Sequence, residues 1–190
     1  MTISAVLLIK TMGAGILPVA FNGVSLVFLL GKEHNNQWSD FGGSTAYTVK
    51  GPEPRFETAI REGYEETSGL LGSKNMINTS VRKNLIRRYQ IPRYSSYLYH
   101  VDFDSNLPYF FNLNYEFVRD TTPGIIKKDH NGLYEKKQIK WCTISEMRKL
   151  NFRPFYKNII YDIIRDEKEI KKKLKIVSPH DSDATIKYEF

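Results

Sequence analysis

The sequence predicts an α/β chain, and three features predict it: apolar runs broken by glycines and turn residues over the first forty residues, an acidic amphipathic helix at 54–67, and an isoleucine-rich helix from Asn151 onward. With 190 residues, 41% hydrophobic and 13% aromatic, the chain can bury one substantial core and has little length for a second. A single domain over residues 1–177 is expected, followed at 178–190 by a polar tail of disorder-compatible composition.

Taken in order, Ile3 to Ile9 is too short to span a bilayer, lacks a basic leader, and reads as a strand. Gly13-Ala14-Gly15 reads as a break before a second strand, Ile16 to Ala20. Asn22-Gly23 is a hairpin signal, with Val24 to Leu30 returning. A loop holding Trp38 and Gly42-Gly43 leads to a helix that starts near Pro54 and stops at Gly69 or Gly72. On it Phe56, Ala59, Ile60, Tyr64 and Thr67 form an inward stripe, and Glu57, Arg61, Glu62, Glu65 and Glu66 spread over the other side. The basic segment Arg82 to Arg88 is ambiguous.

Ser96 to Phe103 reads as a strand, and Tyr94, Tyr97 and Tyr99 clothe a half-buried surface or, as the functional alternative, stack on a base. Asn112 to Val118 reads as a further strand, Pro123-Gly124 as a turn, and Asp129 to Gly132 as a polar loop. Lys140 to Ile144 fits a buried strand whose thiol, Cys142, is the only one in the chain. Phe155, Ile159, Ile160, Ile163 and Ile164 are spaced to pack a helix on a sheet, and Lys168 to Lys175 continues as a basic helical run.

The chemistry concentrates on the acidic helix. Glu62, Glu65 and Glu66 stand at i, i+3 and i+4, so three carboxylates share one face. Their mutual repulsion needs an offset, and Mg²⁺ or Mn²⁺ supplies one while keeping waters for a phosphate substrate. The competing reading is a solvated acidic face.

The order of residue types around the cluster resembles the Nudix box, G-x5-E-x7-R-E-U-x-E-E-x-G-U with U aliphatic. Glu53, Arg61, Glu62, Glu65, Glu66, Gly69 and Leu70 match it in order, and the core from Glu53 to Glu66 matches at full spacing. Nine residues separate Gly43 from Glu53 where the pattern has five, one extra residue precedes Gly69, and Gly63 takes an aliphatic position. A later segment, Glu135 to Met147, resembles the family's E-x(n)-I-x-W-x-x-x-x-E-M/L pattern through Ile139, Trp141, Glu146 and Met147.

The resemblance implies an α/β/α sandwich over roughly residues 3–165, with a mixed sheet between the box helix and the C-terminal helix. It implies metal-dependent hydrolysis of a diphosphate linkage in a nucleoside-diphosphate-type substrate. Glu62, Glu65, Glu66 and a carbonyl at Gly42 or Gly43 would hold Mg²⁺ or Mn²⁺, and Glu62, Glu66 and Glu135 would be catalytic. Glu135 would act as a further ligand or as general base, with Glu116 and Asp120 as rivals, while Arg61 pairs with Glu53 to orient the ligands. A Nudix-fold protein that binds nucleotide or RNA without cleaving it is the alternative, disfavoured because clustered repulsion has no use in a pure binding module.

A formal charge of +7 favours polyanionic partners: nucleotides, capped RNA, other RNA or diphosphoinositol phosphates. The single cysteine fits a reducing cytosol or nucleus.

Overall fold

The computed structural model describes residues 12–49, 51–126 and 132–175. The strand expected at Ile3 to Ile9, most of the 129–132 loop and the tail at 178–190 lie outside the described residues.

Among the described residues there are nine strands: β1 (Gly13–Phe21), β2 (Leu26–Glu33), β3 (Trp38–Ser39), β4 (Phe41–Ser44), β5 (Tyr47–Thr48), β6 (Gly51–Pro52), β7 (Leu85–Ile91), β8 (Tyr94–His100) and β9 (Lys136–Thr143). The helices are α1 (Arg55–Glu66), α2 (Lys74–Asn84), α3 (Leu107–Thr121), α4 (Pro123–Ile126), α5 (Ile144–Met147), α6 (Lys157–Arg165) and α7 (Glu167–Lys173). The main sheet is mixed: β1 runs parallel to β8 along one edge and antiparallel to β4 and β2 on the other. Strand β9 pairs antiparallel with β2, and β7 with β8.

Each face of the sheet carries its own core. On one, Ala59 and Ile60 of α1, Ile77 and Val81 of α2, and Phe111 and Tyr115 of α3 pack with Ile16, Leu29, Tyr97 and Tyr99. On the other, Met147, Ile159, Ile160, Ile163 and Ile170 pack with Leu17, Phe28, Tyr94 and Leu98. The protein is therefore an α/β/α sandwich whose sheet lies between the acidic helix α1 and the C-terminal helix α6, as expected.

Several local readings change. Gly13 to Gly15 is not a break but the start of β1, because β4 and β8 pair with it on both edges. Asn112 to Val118 is helical: Phe111, Tyr115 and Val118 recur at i, i+4 and i+7 and seat α3 on β9, which outweighs the strand preference of an aromatic-rich segment. Pro123-Gly124 opens the single-turn helix α4. The ambiguous basic segment divides between the end of α2 and β7. Tyr94, Tyr97 and Tyr99 are all buried in the two cores, in keeping with tyrosines that clothe a sheet. The Asn22 turn is as read, with the Asn22 Oδ1 accepting from the N–H groups of Val24 and Ser25.

On α1 the expected division into an inward stripe and a charged outer side also changes. Glu62, Gly63 and Glu66 are buried along with Ala59 and Ile60, whereas Phe56 and Tyr64 are only half-buried. Gly63 explains the seat of this helix. A Cβ there would lie 2.3 Å from Ile16 Cδ1 on β1, so the aliphatic group absent from the helix is supplied by the sheet, and the backbone comes closer than any larger residue allows. That close approach is what carries two carboxylates inside.

Candidate active site

Arg61 gathers the first group of acids. Its Nε donates to both oxygens of Glu53 at 3.3 Å, its Nη1 to Glu62 Oε1 at 2.8 Å and Glu65 Oε2 at 3.0 Å, and its Nη2 to the Ser44 carbonyl at 2.9 Å. Thr58 Oγ1 adds a 2.9 Å bond to Glu53 Oε2, and Lys74 Nζ stands 3.2 Å from Glu65 Oε1. Burial works against the guanidinium charge, but Glu53 and Glu62 overcome it and hold the pKa above its usual value. Burial also works against the Glu53 charge, and the bonds from Arg61 and Thr58 outweigh it, leaving that carboxyl below the usual range. Burial pushes Glu62 up, with Arg61 pulling it back and Glu65 and Glu135 pushing with burial. The expected Glu53–Arg61 pair is thus formed, and the arginine reaches two further carboxylates.

Strand β4 forms the opposite wall. A Cβ on Gly43 would lie 2.6 Å from the Glu62 carboxylate, so glycine lets that group rest against the strand, and the Gly42 N–H donates to Glu66 Oε2 at 2.6 Å.

A second cation, absent from the sequence reading, holds Glu66. Lys136, at the start of β9, is fully buried; its Nζ lies 3.2 Å from Glu66 Oε1 and from Glu33 Oε1, and donates to Ser39 Oγ at 2.9 Å. Burial opposes its charge, and Glu66, Glu33 and Asp40 outweigh burial, so its pKa is raised. For Glu66, burial pushes the carboxyl up while the ammonium pulls it back. Nearby Asp40 accepts from Tyr94 Oη at 2.7 Å and from Ser96 Oγ at 2.6 Å, and burial raises its pKa from 3.8 to about 6. Nothing in the sequence marks this group: Glu33 and Asp40 are isolated acids, and Lys136 reads as one of several lysines on a polar strand.

The repulsion among Glu62, Glu65 and Glu66 is therefore offset by Arg61, Lys74 and Lys136 from the protein itself. The expectation that such a cluster requires a metal, and so argues against a binding module, does not hold here.

Of the remaining candidates, Glu135 is exposed immediately before β9, close enough to raise the pKa of both Glu62 and Glu66. Its loop crosses the acidic face, since a Cβ on Gly132 would stand 2.8 Å from Glu65 Oε2. Glu116 and Asp120 are exposed on α3, which packs on β9, and Asp120 is bound by Arg119 at 2.7 Å.

Among the described residues no group of three or more His, Cys, Asp or Glu side chains stands arranged to hold a metal. The donor chemistry nevertheless fits a hard cation: Glu62 and Glu65 converge on the same nitrogen of Arg61, and the Gly43 main chain lies against Glu62. Beside Gly42 and Gly43 opens a cleft of about 300 Å³, lined also by Arg93, Tyr94, Arg153 and Phe155. The Arg153 guanidinium lies 4.8 Å from the Phe155 ring centre.

No protein-family model matches the chain, and no curated protein matches it by sequence. Its fold is similar to that of solved structures. A MutT/Nudix family protein from Listeria innocua is similar at a TM-score of 0.47 and 13% identity, over 88% of this chain and 98% of that one. An Ap4A hydrolase from C. elegans, in a binary complex, is similar at 0.44 and 14%, over 87% and 95%. The Nudix domain of Shewanella oneidensis NrtR, complexed with ADP ribose, is similar at 0.44 and 9%, over 82% and 87%.

The two basic clusters are brought near each other: Lys83, His100, Lys173 and Lys175 line one hollow of about 410 Å³. Several other members are spent on acids, Arg87 on Asp166 and Glu169, and Lys171 on Glu167. Among the described residues no helix is long and apolar enough to cross a membrane.

Proposed function

We propose that the protein is a Nudix-type hydrolase that cleaves a phosphoanhydride in a nucleoside-diphosphate-type substrate with Mg²⁺ or Mn²⁺. The observation that carries this reading is the Arg61 cluster: one guanidinium fixes Glu53, Glu62 and Glu65 at once, against a glycine strand that carries the adjoining cleft. Glu62, Glu65, Glu66 and Gly43 are the proposed metal donors. When bound, the metal neutralises charge on the phosphates and lowers the pKa of a water. Arg61 orients the donors, Glu135 on the crossing loop accepts the proton of the attacking water, and Arg93 and Arg153 draw phosphates into the cleft. Phe155 and Ile91 give that cleft an apolar, partly aromatic wall, which suits a nucleobase better than an inositol ring.

Nucleotide binding without turnover is the second reading. It is favoured by Glu66, whose two oxygens already have partners in the Gly42 N–H and Lys136.

The test is phosphate release from ADP-ribose, a dinucleoside polyphosphate, capped RNA and a diphosphoinositol phosphate, with Mg²⁺ and with Mn²⁺. Metal-dependent turnover of a nucleotide is expected, and Glu62→Gln should lower it by at least about a hundredfold while the protein stays folded. Tight nucleotide binding with no turnover under either metal would establish the second reading. Capped RNA, if it is the substrate, should outrun the small dinucleotides at low salt and lose its lead as salt rises, with a log-log slope of roughly −0.7 per phosphate engaged.

A further inference from the structure

We propose that Lys136 is a resident cation of the carboxylate face, occupying Glu66 so that a divalent metal must displace it to use all three glutamates. This rests on the metal site proposed above and adds what sets its affinity.

The lysine is built into place. Its side chain is 0% exposed, and its ammonium has three oxygen partners, on Glu66, Glu33 and Ser39. Its stem passes over Gly31, where a Cβ would lie 2.8 Å from both Lys136 Cγ and Cδ; the neighbouring strand is cleared for this side chain. Arg153 Nη1 donates to the same oxygen of Glu33 at 2.9 Å, which fixes that partner in place beside the lysine. A solvated lysine beside a metal site swings away on metal binding. One with three fixed partners and no exposed surface resists displacement, because leaving takes the ammonium from the buried Glu66.

The consequence is electrostatic. Ca²⁺- and Mg²⁺-type sites gain affinity with each carboxylate they can use, and a fixed positive charge on Glu66 both removes one ligand and repels the incoming ion. In the resting protein, Glu62 and Glu65 are left to make the first contact, and Glu66 is a ligand held in reserve.

The experiment is Mn²⁺ binding to the full chain at pH 8, followed by the electron paramagnetic resonance signal of the free ion, alongside thermal melts. Lys136→Met should bind Mn²⁺ on the order of tenfold more tightly than the parent, since it frees a ligand and deletes a repelling charge. Lys136→Met combined with Glu66→Gln should return to within about twofold of the parent, because the gain runs through Glu66. Glu66→Gln alone should weaken binding far less than Glu62→Gln. A folded Lys136→Met protein with unchanged or weaker affinity overturns the proposal. So does a Glu66→Gln protein as impaired as Glu62→Gln, a comparison that decides the matter even if Lys136→Met fails to fold. Failure of the metal-site reading has its own signature: Mn²⁺ that binds neither the parent nor Lys136→Met, or that binds Glu62→Gln undiminished.

Discussion

Arg61 and Lys136 each bind more than one carboxylate and meet on the same acidic face, the arginine through Glu62 and Glu65 with 24% of its side chain in water, the lysine through Glu66 with none. The guanidinium sits at the helix surface, where a planar fork can serve Glu53, Glu62, Glu65 and the Ser44 carbonyl together. The ammonium sits between sheet and helix, where one compact charge is surrounded by Glu33, Glu66 and Ser39. Water reaches the guanidinium but neither the ammonium nor Glu66, although Glu33 keeps 18% of its side chain exposed, so one kind of interaction has two different consequences. Around Arg61 the charges can be rearranged by a ligand at modest cost. Around Lys136 every charge depends on its neighbour, and removal of one partner exposes the full desolvation penalty of the other.

The sharpest separation should come from Asp40, which belongs to the dry group. Its pKa is raised from 3.8 to about 6 by burial, so between those values the native state keeps a proton that the unfolded chain has lost. Stability attributable to Asp40 therefore falls as pH rises through that window, and above pH 6 the penalty is present in full, about 3 kcal/mol. Asp40→Asn should remove this slope, seen as a difference between parent and variant in urea melts from pH 4 to 7. A difference that stays constant across the window would show that Asp40 is not held against its charge.

Next in size is Arg61→Ala, which strands Glu53 and Glu62 at once. Discounted for its access to water, the loss should be about 2 kcal/mol, a drop of roughly 4–8 °C in Tm. A melt unchanged by the substitution would remove the orienting role assigned to the arginine. The smallest effect belongs to Lys74→Ala, at the wet rim of the same group with 49% of its side chain exposed. It should cost no more than about 0.5 kcal/mol, and less as salt is added. A larger, salt-insensitive loss would mean that the rim is as dry as the Lys136 side.

The acidic helix, the Asn22 turn, β9 and α6 were legible in the sequence because each is written in local periodicity or turn chemistry. So was the Glu53–Arg61 pair, through the motif resemblance. Asn112 to Val118 reads as a strand in sequence because aromatic and β-branched residues suit either element, and only its fit on β9 decides for helix. Gly63 stands where the motif has an aliphatic residue, and the sequence does not show why, since the group that fills its place, Ile16, is 47 residues away in the chain. Lys136 was invisible for a related reason: burial of a lysine depends on Glu33, Ser39 and Glu66 arriving from three other elements, and no local pattern records that meeting.

Cys142, the sole thiol of the chain, lies on the same strand as Lys136, fully buried, with burial pushing its pKa up to about 12. Because a thiolate is the nucleophile that attacks a disulfide reagent and expels its leaving thiolate, the buried thiol does not react while β9 remains paired with β2. Every labelling event must therefore await an opening of that ladder, and the labelling rate becomes a clock for it. The protein thus carries its own single-site reporter of native-state fluctuations, set six residues from the buried ammonium in the strand that positions it.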